Sequence, residues 1–191
     1  KIGVVGIYAA GYFAKRKMMK DAVQRARDAG ADAVVAMVHA GQEYDGLHSR
    51  NQTLIARLLI DSGADVVIGT HPHVLQGMEV YGQRSILYSI GNFVFGGNAT
   101  VRSNETVVAR FTLTFSDNNL YLGQQMRLYP ANISGEPVRN NYQPVLVTGT
   151  QAQAAWKLID RDSEGQPAPE TETDEYREYA YLPSGQSEAI E

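Results

Sequence analysis

Three imidazoles follow strand-like runs in this chain. His39 comes directly after the apolar run Ala33–Val38, and His71 and His73 come after Val66–Ile68, in the segment Gly69-Thr70-His71-Pro72-His73. In open α/β sheets, ligands gather at the carboxyl ends of the strands. A neutral imidazole offers a nitrogen lone pair to zinc, manganese or iron. The proline between His71 and His73 fixes the backbone, so both rings can aim at one small volume. A single histidine after a strand is more often a hydrogen-bonded loop residue, but three at two strand ends form a metal-site pattern. The expected metal set is therefore His39, His71 and His73. The fourth histidine, His48, precedes a helix cap and reads as a loop residue.

Other polar groups sit close by in sequence. Gln42, Glu43 and Tyr44 follow His39. Glu43 reads equally as a carboxylate that orients an imidazole and as a solvated loop acid. Asn92 follows a later strand in Gly91-Asn92-Phe93. It could bind substrate or metal, or satisfy a tight turn beside Gly91, and the residue pattern favours the turn.

The elements that must position these groups are legible. Ile2–Ile7 reads as a buried strand. Met19, Ala22, Val23, Ala26 and Ala29 recur at helical spacing, and Gly30 ends that helix. Ala33–Val38 is continuously apolar, as in a strand covered on both faces. Ser49 and Gln52 have the spacing of a capping box, ahead of a stripe formed by Leu54, Ile55, Leu58 and Leu59. Strand, helix, strand, helix and strand with short connections imply a parallel sheet with right-handed crossovers. Asp28-Ala29-Gly30-Ala31-Asp32 and Asp61-Ser62-Gly63-Ala64-Asp65 occupy matching places, which is helix-end punctuation used twice rather than a solenoid repeat.

Beyond Gly77 the pattern changes. Met78–Tyr81, Ser85–Ile90, Val107–Phe115 and Leu120–Pro130 read as strands, with turns at Gly82-Gln83 and Asp117-Asn118-Asn119. The fold class is thus α/β, parallel strands first and antiparallel strands after. Gln151–Asp160 is expected to form a short closing helix holding Trp156. One domain spans residues 1–160. From Arg161 to Glu191 the chain is polar and is expected to be largely disordered, although Tyr176, Tyr179 and Tyr181 offer rings that could dock.

The composition removes several classes of function. The 191 residues allow one domain with a real core. A net charge of −4 and the lack of Lys and Arg clusters give no footprint for nucleic acid. There is no cysteine, which excludes disulfides, zinc–thiolate sites and thiol catalysis. No stretch reaches the roughly 18 apolar residues of a membrane span, and the chain does not open on a signal-peptide pattern. No glycine-rich phosphate loop supports a nucleotide-binding reading. A chain that opens inside a strand is expected to be part of something longer.

Three segments carry a family resemblance: His39-Ala40-Gly41-Gln42-Glu43-Tyr44, then residues 63–76 around His71-Pro72-His73, then Ile86–Phe95 with Gly91-Asn92-Phe93. Together they resemble the CapA-like proteins of poly-gamma-glutamate capsule biosynthesis, within the calcineurin-like metallophosphatase superfamily, over roughly Lys1 to Tyr129. The resemblance implies the C-terminal half of a four-layer α/β/β/α fold with a two-metal centre. It implies that His39, His71 and His73 are ligands. Two departures stand out. Ala40 occupies a place where the family usually has tryptophan. The family's N-terminal Gly-Asp, Asn-Leu-Glu and Asn-Asn-His segments do not occur before His39, so the bridging and most oxygen ligands are not in this chain.

The function expected of the intact parent is that of a capsule or exopolymer biosynthesis protein at the bacterial cell surface, outside the cytoplasm. It would have a metallophosphatase-like site that could be hydrolytic. The alternative is a non-catalytic polymer-handling or scaffolding subunit with a vestigial site. Its cofactors would be two divalent ions, with manganese, iron and zinc equally compatible, partial or absent in this chain. Its partner would be an anionic exopolymer or phosphorylated precursor. Membrane contact would come only through an N-terminal segment outside this sequence. By itself the chain is expected to show little phosphoesterase activity, and its exposed strand edge predicts a homodimer.

Overall fold

The computed structural model describes residues 1–9, 12–96, 98–136, 138–163 and 165–181. Strands β1 (Ile2–Tyr8), β2 (Ala33–His39), β3 (Val66–Thr70), β4 (Met78–Tyr81) and β5 (Arg84–Leu87) form one sheet in the order β1-β2-β3-β5-β4. The first four in that order are parallel, and β4 pairs antiparallel with β5. Helices α1 (Tyr12–Asp28) and α2 (Arg50–Asp61) are the two crossovers. A second, antiparallel sheet holds β6 (Glu105–Phe115), β7 (Tyr121–Asn132), β9 (Thr171–Glu172) and β10 (Arg177–Tyr181), with β8 (Val145–Leu146) also on β7. Helix α3 (Gly149–Arg161) packs beside it. Parallel strands come first and antiparallel strands after, as the sequence pattern implies.

Alternation along the strands decides the layers. Val34, Ala36, Val67 and Ile86 point to the side where Met19 and Val23 of α1 and Ile55 and Leu59 of α2 pack, and these form the first core. Burying each of the larger side chains, the valines, leucine, isoleucines and methionine, contributes about 1.5–3 kcal/mol. A second core joins Leu75, Met78 and Leu87 of the first sheet to Val107, Met126 and Leu128 of the second, with Trp156 and Ile159 of α3 sealing it. The tight β4–β5 hairpin turns on Gly82 and Gln83, both at positive φ (56° and 59°), as a two-residue turn requires.

α2 begins as its sequence implies. The Ser49 side chain accepts the Gln52 N–H, and the Gln52 side chain accepts the Ser49 N–H. The box also reaches inward, because the buried Gln52 Nε2 donates to Gln76 Oε1 at 2.7 Å. Gln76 Nε2 in turn donates to the carbonyls of Asp45 and Leu47. Ser49→Ala is expected to lower stability by about 1 kcal/mol, read as a lower midpoint in thermal melting. A midpoint equal to that of the parent would mean the cap carries no weight.

Three expectations need correcting. β1 is not buried on both faces: Ile2 and Val4 are 70% and 67% exposed, because no described element covers the face opposite the helices. The strand expected to run to Ile90 ends at Leu87, with a single bridge from Leu75 to Ile90 beyond it. The polar stretch after Arg161 is also not uniformly without structure. Residues 177–181 pair with β7, where Tyr179 faces Met126 and is buried. A ring every second residue is enough to seat a short strand on an available edge. Residues 182–191 of that stretch lie outside the described residues.

Candidate metal centre

Register brings the histidines together. β2 and β3 are parallel neighbours with His39 opposite Thr70, so His71 emerges beside His39. Their ring centroids are 4.4 Å apart, and those of His71 and His73 are 6.2 Å apart. The loop after β2 is pinned over the loop after β3: Ala40 N–H donates to Thr70 O (3.1 Å) and Tyr44 N–H to Pro72 O (2.7 Å). This second bond carries Glu43 over the histidines. One ligand atom each from Glu43, His71 and His73 falls within 4.8 Å of the others. Donors sharing one ion at about 2.0–2.2 Å cannot be much more than about 4 Å apart, so a small side-chain rotation would bring this set to coordination distance. The donors fit a borderline cation such as zinc, manganese or iron.

Backbone conformation is unusual at the same place. His71 (φ 101°), His73 (φ 61°) and Tyr44 (φ 59°) are non-glycine residues in the left-handed region. Each such position costs on the order of 1–3 kcal/mol and tends to mark a functional site. Asn92 is brought in as well. Its Oδ1 lies 2.7 Å from His73 Nδ1, and its Nδ2 donates to His73 O at 3.4 Å. With Nδ1–H donating to that oxygen, the Nε2 lone pair of His73 is left for a ligand. Burial among its neighbours, then repulsion from His71 and His73, lowers the pKa of His39 below its ordinary value. It therefore stays neutral, the form that binds metal, to lower pH.

Among the residues expected at the site, His39, His71, His73, Glu43 and Asn92 all converge, but not equally. Glu43 rather than His39 completes the tightest group, and Asn92 contacts His73 rather than serving only a turn. Beyond His39 a cavity of about 410 Å³ opens, lined in part by Tyr8, Gln42, Asn51 and Gln52. His48 is elsewhere. Its ring stacks flat on Tyr88 (3.7 Å, 3°), and its N–H donates to Asp162.

Sequence reasoning placed Tyr44 near the site but missed the other aromatic flanks. Tyr8 stacks on His39 at 5.4 Å, and Tyr44 and Phe95 lie against His73 at 5.8 and 5.1 Å. Tyr8 was findable, since it ends β1 at the same sheet edge and pairs in register with His39. Phe95 ends the resembling segment Ile86–Phe95, but nothing in that segment pointed to its contact with His73.

A parallel sheet followed by antiparallel strands, with histidines at the parallel strand ends, is the layout of a metallophosphatase-like α/β protein. Residues 5–97, just under half of the chain, match the family described as bacterial capsule synthesis protein PGA_cap, and together with the relatives that follow this marks the chain as CapA-like. It is 36% identical over 149 residues to "Capsule biosynthesis protein CapA" of Bacillus anthracis, covering 72% of this chain and 35% of that one. It is 45% identical over 83 residues to "PGA biosynthesis protein CapA" of Bacillus subtilis (strain 168), covering 44% of this chain and 22% of that one. The matched regions thus span about a third or less of these relatives.

Proposed function

We propose that this chain is part of a capsule or exopolymer biosynthesis protein of the bacterial cell surface, carrying a divalent-metal site at the carboxyl ends of β2 and β3. The family and the names of its relatives support the biosynthetic role. The metal site is supported above all by the convergence of Glu43, His71 and His73 within 4.8 Å. His71 and His73 would hold the ion through nitrogen and Glu43 through oxygen, with His39 beside them and Asn92 fixing the tautomer of His73. A bound divalent ion supplies Lewis acidity and a hydroxide nucleophile near neutral pH. The residues of this chain orient the groups at that place, and the cavity beside His39 gives room for one end of a substrate. Its partner would be an anionic exopolymer or a phosphorylated precursor.

The test is manganese and zinc titration by calorimetry. His71→Ala is expected to weaken binding about a hundredfold, and Asn92→Ala about tenfold. A parent chain that binds no better than a variant lacking all three histidines would overturn the site.

One observation favours a second, non-catalytic reading. Among the described residues a single carboxylate, Glu43, joins the imidazoles, whereas a two-metal centre with ions about 3.5–4 Å apart needs bridging oxygen ligands. On that reading the site handles polymer without cleaving it. A stoichiometry of one ion, with no turnover of a generic phosphoester by the whole protein, would select it.

A further inference from the structure

The cavity of about 410 Å³ beside the histidines has a chemistry unlike theirs. Of the three grouped donors only His71 reaches it. Its buried lining is Ala9, Gln52 and Ile55, and Tyr8, 62% exposed, adds an aromatic ring. The remaining polar groups are carboxamides and a hydroxyl. Gln42 lies in the loop after β2, while Ser49 and Asn51 belong to the start of α2. The side chains of Gln42 and Asn51 are exposed and have no hydrogen-bond partner among the described residues. Ser49 Oγ accepts the Gln52 N–H and donates to Gln52 Oε1, which leaves it one lone pair. Among the described residues no Lys, Arg, Asp or Glu lines the cavity. Lys15, whose Nζ is 5.3 Å from the Tyr8 ring centroid, is not on the lining.

We infer that this cavity is a subsite for one uncharged, polyhydroxylated ring, a neutral sugar unit, gripped by Gln42 and Asn51. A carboxamide offers two N–H donors and an oxygen acceptor, and a sugar hydroxyl also donates and accepts, so each satisfies the other in both directions. A carboxylate only accepts, and it finds no cation on the lining to meet its charge. A peptide link brings one donor and one acceptor, whereas Gln42, Ser49 and Asn51 call for polar groups spaced round a ring. The aromatic ring of Tyr8 suits the apolar C–H face that a sugar also presents. Size agrees with this. Small-molecule pockets run from about 300 to 1,000 Å³, and a cavity near the lower end takes a ring rather than a stretch of polymer. The inference goes beyond the metal reading, because holding a sugar here needs no ion.

The experiment follows the side-chain NH2 signals of Gln42 and Asn51 by NMR in the isotope-labelled whole chain, with and without saturating zinc. The neutral probes are glucose, galactose, mannose and N-acetylglucosamine, and the charged probes are glucuronate and a γ-linked glutamate trimer. At least one neutral sugar is expected to shift both signals saturably, with closely similar affinity whether or not zinc is present. Glucuronate, which adds a carboxylate to the same ring, should bind no tighter than glucose. Asn51→Leu and Gln42→Leu should each weaken the sugar about threefold to tenfold, as the loss of a hydrogen bond does. Both positions are exposed, and thermal melting of each variant separates lost binding from lost folding. Signals that ignore all four neutral sugars would overturn the subsite. So would tighter binding of glucuronate or the glutamate trimer at these amides, or a double variant that binds as the parent does. Zinc binding without sugar binding defeats this inference alone, and sugar binding without zinc binding defeats the metal reading alone.

Discussion

Gly69→Val should destabilise the protein by about 3 kcal/mol and disorder the loop that carries His71 and His73. A Cβ placed on Gly69 would sit 1.9 Å from the Tyr88 carbonyl oxygen and 2.6 Å from its carbonyl carbon. These are backbone atoms and cannot rotate away. Gly69 N–H and O belong to β3 two residues before His71, and its carbonyl accepts the Ile90 N–H at 3.3 Å. Forcing the two strands apart therefore moves the histidines and Asn92 together. Gly6→Ala in the same sheet is the control, since a Cβ there meets nothing within 4 Å. Urea denaturation of the two variants decides the matter. If Gly69→Val unfolds at the same denaturant concentration as Gly6→Ala, close approach at Gly69 is not what fixes the site.

The second large effect is expected at the opposite end of the sheet. The Asp65 carboxylate is almost fully buried and accepts the Val34 N–H at 2.8 Å. It also pairs with Arg27 Nη2 at 2.6 Å and Arg84 Nε at 3.3 Å. Arg27 goes further, donating to the carbonyls of Ala31, Asp32 and Gly63. One guanidinium thus ties both helix-to-strand turns to the same buried acid. Asp65→Ala leaves Arg27 partly buried without its acid and the Val34 N–H without an acceptor. The expected cost is about 3–5 kcal/mol, measured as the fall in unfolding free energy. Asp65→Asn, which retains an oxygen for Val34, should cost less. A loss below about 1 kcal/mol for the alanine variant would show that water replaces the carboxylate readily.

Much of this fold is written in local patterns. The period of the apolar residues locates α1, α2 and the parallel strands, because each has to cover a core face. Gly30, Gly63 and Gly82 mark turns that positive φ makes possible. The histidines at 39, 71 and 73 are readable as a group, since parallel strand ends bring distant segments to one edge. What stayed hidden depended on tertiary pairing. Arg27 looks like any surface arginine at a helix end, and nothing nearby in sequence reveals its acceptors in the second turn. β10 could not be read from a stretch so rich in acids and prolines, since it forms only because β7 offers an edge and the second core a slot for Tyr179. Glu43 joins the site through a backbone bond from Tyr44 to Pro72, a contact that its own sequence context does not encode.

Asp162 accepts the N–H of His48 and of Gly77, residues 114 and 85 positions earlier. It is the tie between the end of α3 and the two loops that flank the histidine-bearing strand ends. During synthesis, β2, β3 and all three histidines leave the ribosome well before that tie exists. At about 5–20 residues per second, the interval between Gly77 and Asp162 is roughly 4–17 s. For that time the nascent chain carries its metal-binding imidazoles on loops whose last anchor has not yet been made.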